Sequence, residues 1–197
     1  MGYVGDRCYV RCQLDDGELL CQLAEEAVEL AQAADRYNEL FFPAYCLGEE
    51  KGLEDKVIEE IADVELVLSI MMKQDETEEL LETLKRAEFS ESDLRNDRTV
   101  CDVIRLDCLV LAKAALKLRR AMYLTNPTPM TEAEARKALM DAVYGAVPVM
   151  RAWCEKIGAS NKVADIKIRK AQRWANRLSG GMENEGVYEN RPEFLGK

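Results

Sequence analysis

The sequence predicts an all-α protein, a bundle of about five to six helices. Over most of the chain apolar residues recur at three- and four-residue steps, the spacing of one face of an α-helix. No stretch alternates apolar and polar residues between hairpin turns, and the few Gly and Pro residues fall between the periodic stretches. With a hydrophobic content of 48%, residues 1–180 are expected to form a single domain around a real core.

The first two predicted helices form a hairpin. One runs from about Asp16 to Asn38 and the other from about Leu53 to Lys73, with Pro and Gly in the loop between them. The apolar stripe of the first contains Leu19, Leu23, Leu30 and Ala33, and that of the second contains Val57, Ile61, Val64, Leu68 and Met71. Both stripes are wide enough to pack against other helices.

The remaining helices are predicted from periodicity and from start and stop signals. They run from about Thr77 to Phe89, from Thr99 to Leu124, from the Thr131-x-x-Glu134 capping box to Gly158, and from Asn161 to Leu178. The polar segment from Ser90 to Arg98 is the expected linker between a first half (16–89) and a second half (99–178). Residues 181–197 form a polar tail whose composition is compatible with disorder.

Charge and residue usage exclude several classes of function. The net charge of −10 disfavours binding to nucleic acid or to anionic membranes, and no apolar run is long enough for a membrane span or a secretory signal. The absence of histidine excludes histidine triads and the usual zinc and di-iron sites. Seven scattered cysteines without a Cys-x-x-Cys pair indicate reduced thiols, so a cytoplasmic location is the simplest expectation.

The predicted hairpin carries two pairs of acids, and at least three of these four residues interrupt its apolar stripes. Glu26 and Glu29 lie three positions apart on the first helix, and Glu60 and Asp63 do so on the second. Burying like charges together costs several kcal/mol each unless a cation neutralises them, and carboxylate oxygens suit Mg²⁺ or Mn²⁺. The sequence therefore favours a metal site, against the alternative of ordinary surface glutamates in an acidic chain.

Glu25-Glu26-x-x-Glu29 followed by Glu60-x-x-Asp63 resembles the signature of the all-α NTP pyrophosphatases, the superfamily of MazG and the dimeric dUTPases. The resemblance extends from about Leu19 to Met72, a little over a quarter of the chain. It implies that Glu26, Glu29, Glu60 and Asp63 bind Mg²⁺, with Mn²⁺ as an alternative. It further implies hydrolysis of a nucleoside triphosphate, with deoxynucleotides the expected substrates, to monophosphate and pyrophosphate. Glu29 is the first candidate for the general base and Glu25 the second.

The last predicted helix is basic in an acidic chain. It carries six basic residues against one acidic residue, and among them Lys170 and Arg173 lie on one face where they could bind substrate phosphates. The alternative is that basic residues near a helix C-terminus stabilise the helix dipole. A nucleobase has several candidate stacking partners, which could instead belong to the core: Tyr37, Phe41, Phe42, Tyr45, Trp153 and Trp174.

A faint internal repeat bears on assembly. Leu30-Ala-Gln-Ala-Ala34 aligns with Leu111-Ala-Lys-Ala-Ala115, and in this alignment the second half has lost the carboxylates of the first. Either the halves are related helical hairpins, or any two amphipathic helix pairs look this similar. A homo-oligomer, most simply a dimer, is expected in both cases. The rival to the enzyme is a noncatalytic helical module that binds other proteins.

Overall fold

The structure is a computed structural model that describes residues 2–40, 50–87, 97–124 and 130–180. Its regular structure in these ranges is entirely helical, which confirms the predicted fold class. The helices are α1 (Tyr3–Gln13), α2 (Asp16–Glu39), α3 (Glu50–Met71), α4 (Gln74–Arg86), α5 (Asp97–Tyr123), α6 (Glu132–Lys156) and α7 (Ser160–Leu178). The described residues thus form seven helices rather than five to six.

The additional helix is α1, which the sequence pattern does not reveal. Only Asp6 and Val10 are buried in it, so its apolar face is too narrow to give a periodic signal. Val10 joins a small second core with residues of α2, α3 and α7, and Arg7 donates a hydrogen bond to the carbonyl oxygen of Ser69 on α3. α1 therefore fastens α3 to α7 at one end of the bundle.

Capping residues set several of the helix boundaries. The side chain of Asp15 accepts a hydrogen bond from the backbone N–H of Glu18, and the Glu18 side chain accepts one in return from the backbone of Asp15. The predicted box of Thr131 and Glu134 has the same reciprocal bonds and begins α6. Shortly after α6 ends, Gly158 has a φ of 71°, a left-handed conformation that favours glycine.

α2 is the central helix of the bundle and packs against both α3 and α5. It runs antiparallel to α5, because Asn38 donates a 2.9 Å hydrogen bond to Asp102 near one end while Gly17 lies against the ring of Tyr123 at the other. α5 packs against α6, and α3 packs against α7. This arrangement leaves α2, α3 and α7 as the walls of one side of the molecule.

Some sequence predictions fall outside the described residues. These are the loop over 41–49 with its three aromatic residues, most of the predicted linker, the turn over 125–129 and the polar tail. Asp97 and Arg98 lie within α5, so the predicted linker is shorter at that end. The division into two related halves stays a prediction. None of the described helices has the length and apolar content that crossing a membrane requires.

Candidate functional site

A cavity of about 320 Å³ lies between α2, α3 and α7. Six of the seven predicted site residues line it: Glu26 and Glu29 from α2, Glu60 and Asp63 from α3, and Lys170 and Arg173 from α7. Glu25, the second candidate for the general base, is exposed and is not among the lining residues. The fold therefore brings the predicted acidic residues and the predicted basic residues together around one cavity.

Three of the acids converge within the cavity. One carboxylate oxygen each from Glu26, Glu60 and Asp63 lies within 4.8 Å of the other two, and we call these residues the carboxylate trio. Glu60 is the most buried of them, with 1% of its side chain exposed. Glu29 lies one turn further along α2, lines the same cavity and is exposed, outside the trio.

Two lysines neutralise part of the trio. Lys56 reaches one turn along α3 to pair with Oε1 of Glu60, and Lys170 reaches across from α7 to pair with Asp63. Lys170 Nζ also lies 3.0 Å from an oxygen of Glu59. The second oxygen of Glu60, Oε2, is buried and has no hydrogen-bond partner among the described residues. Such an orphaned buried carboxylate oxygen is costly unless a ligand satisfies it.

Two acids of the trio, Glu26 and Asp63, hold their protons more tightly than usual. Burial raises the pKa of Glu26 to about 7, and the nearby charge of Asp63 adds to the effect. Burial also raises the pKa of Asp63, although its bond with Lys170 opposes the shift. The two lysines do not fully offset the crowding of negative charge, so the trio favours an additional cation, either a proton or a metal ion.

Glu65, also on α3, is a buried acid outside the cavity, and both of its oxygens have partners from other helices. One of its oxygens accepts a 3.0 Å bond from Arg151 and the other a 2.6 Å bond from Lys167. Burial alone would raise the pKa of Glu65, but these two cations reverse the effect and lower it. Both oxygens of Glu65 are thus paired, unlike those of Glu60, which identifies this cluster as structural.

The trio offers the ligand type that Mg²⁺ and Mn²⁺ prefer. Its donors are hard carboxylate oxygens from two helices, and one of the three residues, Glu60, also has an oxygen without a partner among the described residues. Glu26, Glu60 and Asp63 would hold such an ion, and the open side of the cavity leaves room for water or phosphate oxygens. The residues present therefore fit the metal that the motif implies.

Two further residues contact the trio. Lys56, which the sequence indicates together with Arg36 as a partial counter-charge to the acids, pairs with Glu60 from one turn earlier on α3. Gln22, for which the sequence predicts no role, donates a hydrogen bond to Glu26 at the same spacing on α2. A search for polar partners four residues before each acid would have found Gln22. Trp174 also lines the cavity, whereas Tyr37 and Trp153 pack edge to face in the core.

Comparison of the chain with known protein families, with curated proteins and with solved structures gives no significant match. The fold and the cavity consequently define only a class, that of all-α proteins with a carboxylate-rich cavity flanked by basic residues. The more specific assignment is a proposal based on the geometry of the site and on the motif.

Proposed function

We propose that the protein is a Mg²⁺-dependent nucleoside triphosphate pyrophosphohydrolase that releases nucleoside monophosphate and pyrophosphate. The observation that carries the proposal is the carboxylate trio with its unpaired buried oxygen, facing a cavity whose opposite wall is basic. The resemblance of Glu25-Glu26-x-x-Glu29 and Glu60-x-x-Asp63 to the all-α NTP pyrophosphatases supports the same reaction.

We assign each residue of the cavity a role according to its position. Glu26, Glu60 and Asp63 hold Mg²⁺, or Mn²⁺ in its place, and Lys170 and Arg173 on α7 bind the phosphate oxygens of the substrate. The bound ion supplies charge neutralisation of the triphosphate and acidification of the attacking water. Glu29 lines the cavity outside the trio. We assign to it the acceptance of a proton from that water and the remaining place in the ligand set. Trp174 also lines the cavity and is our candidate for stacking on the nucleobase.

A panel of ribo- and deoxynucleoside triphosphates, each with Mg²⁺ and with Mn²⁺, tests the proposal. The expected products are monophosphate and pyrophosphate, because attack is at the α-phosphorus. Glu29→Gln should lower the rate by about 100-fold or more, the range of a general base. Glu25→Gln is the matched control one turn away, outside the cavity, and should keep most of the activity.

Two results would reject the reaction. Release of nucleoside diphosphate and orthophosphate would exclude attack at the α-phosphorus even if the protein does hydrolyse the triphosphate. No hydrolysis of any triphosphate with either ion would exclude the enzyme altogether.

A second candidate function is a noncatalytic module that binds other proteins. The observation in its favour is an exposed apolar face on α5, where Leu106, Leu109 and Val110 are 53%, 45% and 56% exposed. The same face is the best candidate for the homodimer interface that we propose. Leu106→Glu should abolish association in sedimentation experiments, and loss of association without loss of hydrolysis would separate this surface from the cavity.

A further inference from the structure

Lys170 binds the trio from a different helix than the acids it neutralises. Its ammonium pairs with Oδ2 of Asp63 and lies 3.0 Å from an oxygen of Glu59, both on α3. Only 19% of its side chain is exposed, compared with 52% for Lys56. Lys170 also lines the cavity, and its ammonium is bonded there to Asp63, an acid of the trio.

This position makes Lys170 a competitor for any cation that the trio binds. A carboxylate oxygen bonded to an ammonium is a poorer ligand, and a divalent ion close to the ammonium repels it at short range. Glu59 gives Lys170 an alternative partner when the ammonium leaves Asp63, because Glu59 is half-buried, already lies 3.0 Å from Lys170 Nζ and is outside the trio. The ammonium can therefore leave Asp63 without losing every contact.

We propose that Lys170 exchanges hydrogen-bond partners when a divalent cation and the nucleotide bind to the site. Its ammonium binds Asp63 in the absence of a divalent cation, leaves Asp63 when that ion binds, and then turns to the triphosphate. This inference rests on the proposed function, because it assigns a regulatory role at the same site. It predicts that the ion and the nucleotide bind cooperatively, since the nucleotide provides a new partner for the displaced ammonium.

Titration of Mn²⁺ alone into the full chain tests the exchange. Lys170→Met should bind Mn²⁺ about tenfold more tightly than the wild type, because the competing ammonium is gone, and a factor of ten corresponds to ~1.4 kcal/mol. Lys162→Met is the matched control, since Lys162 also joins α7 to an acid of α3, Asp55, but away from the trio. It should bind Mn²⁺ as the wild type does.

Labelling of the wild-type chain with an amine-reactive reagent gives a readout that needs no variant. Mass spectrometry should show Lys170 becoming more reactive when Mn²⁺ is added, and protected again when a triphosphate analogue with a non-hydrolysable α,β bridge follows. Lys162 should label equally in all three states.

The outcomes separate this inference from the proposed function. Equal or weaker Mn²⁺ binding by Lys170→Met, or Lys170 labelling that Mn²⁺ does not change, overturns the exchange while hydrolysis can still hold. Exchange without hydrolysis of any nucleotide overturns the enzyme and leaves the exchange standing. A wild-type chain that binds no Mn²⁺ overturns the metal site and the exchange together.

Discussion

Replacing Glu26 with Gln should remove most of the pH dependence of divalent-ion binding near neutrality. The ion binds the ionised carboxylate, and the pKa of Glu26 is raised to about 7 by burial and by Asp63. About one tenth of Glu26 is then ionised at pH 6 and about nine tenths at pH 8. The apparent affinity of the wild type for Mn²⁺ should therefore rise about tenfold between these values.

The two lysines and the glutamine around Glu26 do not change their charge between pH 6 and pH 8. Bonds to Asp63 and Glu59 raise the pKa of Lys170 above its usual value despite its burial, and the bond to Glu60 does the same for Lys56, so both ammonium groups stay charged. Gln22 is neutral. Of the shifted acids, Asp63 also has a raised pKa, but its bond to Lys170 opposes the shift.

Isothermal titration of Mn²⁺ at pH 6, 7 and 8, in two buffers with different enthalpies of ionisation, measures both affinity and released protons. The wild type should release about 0.9 proton from Glu26 per ion at pH 6 and about 0.1 at pH 8. Glu26→Gln should bind more weakly with a flat profile, while Glu25→Gln keeps the wild-type slope. Equal wild-type affinity at pH 6 and pH 8, with no dependence on the buffer, would refute the reasoning.

The raised pKa of Glu26 also makes the free energy of unfolding depend on pH. A carboxyl whose folded pKa is raised favours the folded chain below its unfolded pKa of about 4.5, and this contribution is lost as the pH rises through about 7. Because Glu26 is partly exposed, solvent screening reduces the effect to ~1 kcal/mol. With divalent ions chelated, Glu26→Gln should therefore be more stable than the wild type in urea at pH 8 and lose that advantage at pH 4.

Three further predictions concern the scaffold. Trp153→Ala should lower the free energy of unfolding by about 3–5 kcal/mol, because Trp153 is fully buried. Trp153→Phe should cost less, because its ring leaves a smaller cavity while the unpaired indole N–H is removed in both variants; equal losses in urea unfolding would contradict this. Thr131→Ala should cost ~1 kcal/mol through loss of the cap of α6, and an unchanged unfolding midpoint would argue against the cap. Glu65→Gln should cost about 1–3 kcal/mol at pH 7, where the wild type benefits from a carboxylate with a lowered pKa, and the difference should shrink as the pH falls below about 4.5. Its Mn²⁺ affinity should match that of the wild type, because Glu65 lies outside the trio.

The long helices that form the main core were predictable from the sequence. α2 was expected to end at Asn38 and ends at Glu39, and the capping box at Thr131 fixed the start of α6. Such helices need a wide apolar stripe, and a wide stripe is visible as periodicity. α1 was missed for the opposite reason, because its burial depends on a few contacts with α3 and α7 rather than on a stripe of its own.

The residues of the site were predictable where their placement depends only on spacing along one helix. Glu26, Glu60 and Asp63 interrupt apolar stripes, so their convergence followed from helical spacing. Glu25 is adjacent in sequence to Glu26, but successive residues of a helix point about 100° apart, and Glu25 faces solvent. The bond between Lys170 and Asp63 joins residues 107 positions apart, and no local pattern specifies which of six bases on α7 makes it.

The position of α1 has a consequence for how the cavity keeps its width. α1 packs on both α3 and α7, the two helices whose separation sets the distance between the trio and the basic wall. Val10 packs with Ala171 and Ala175 of α7, on either side of Arg173 in sequence. α1 thus braces the cavity without lining it, and a substitution on its buried face should weaken the phosphate binding that we propose while leaving every acidic and basic residue of the cavity unchanged.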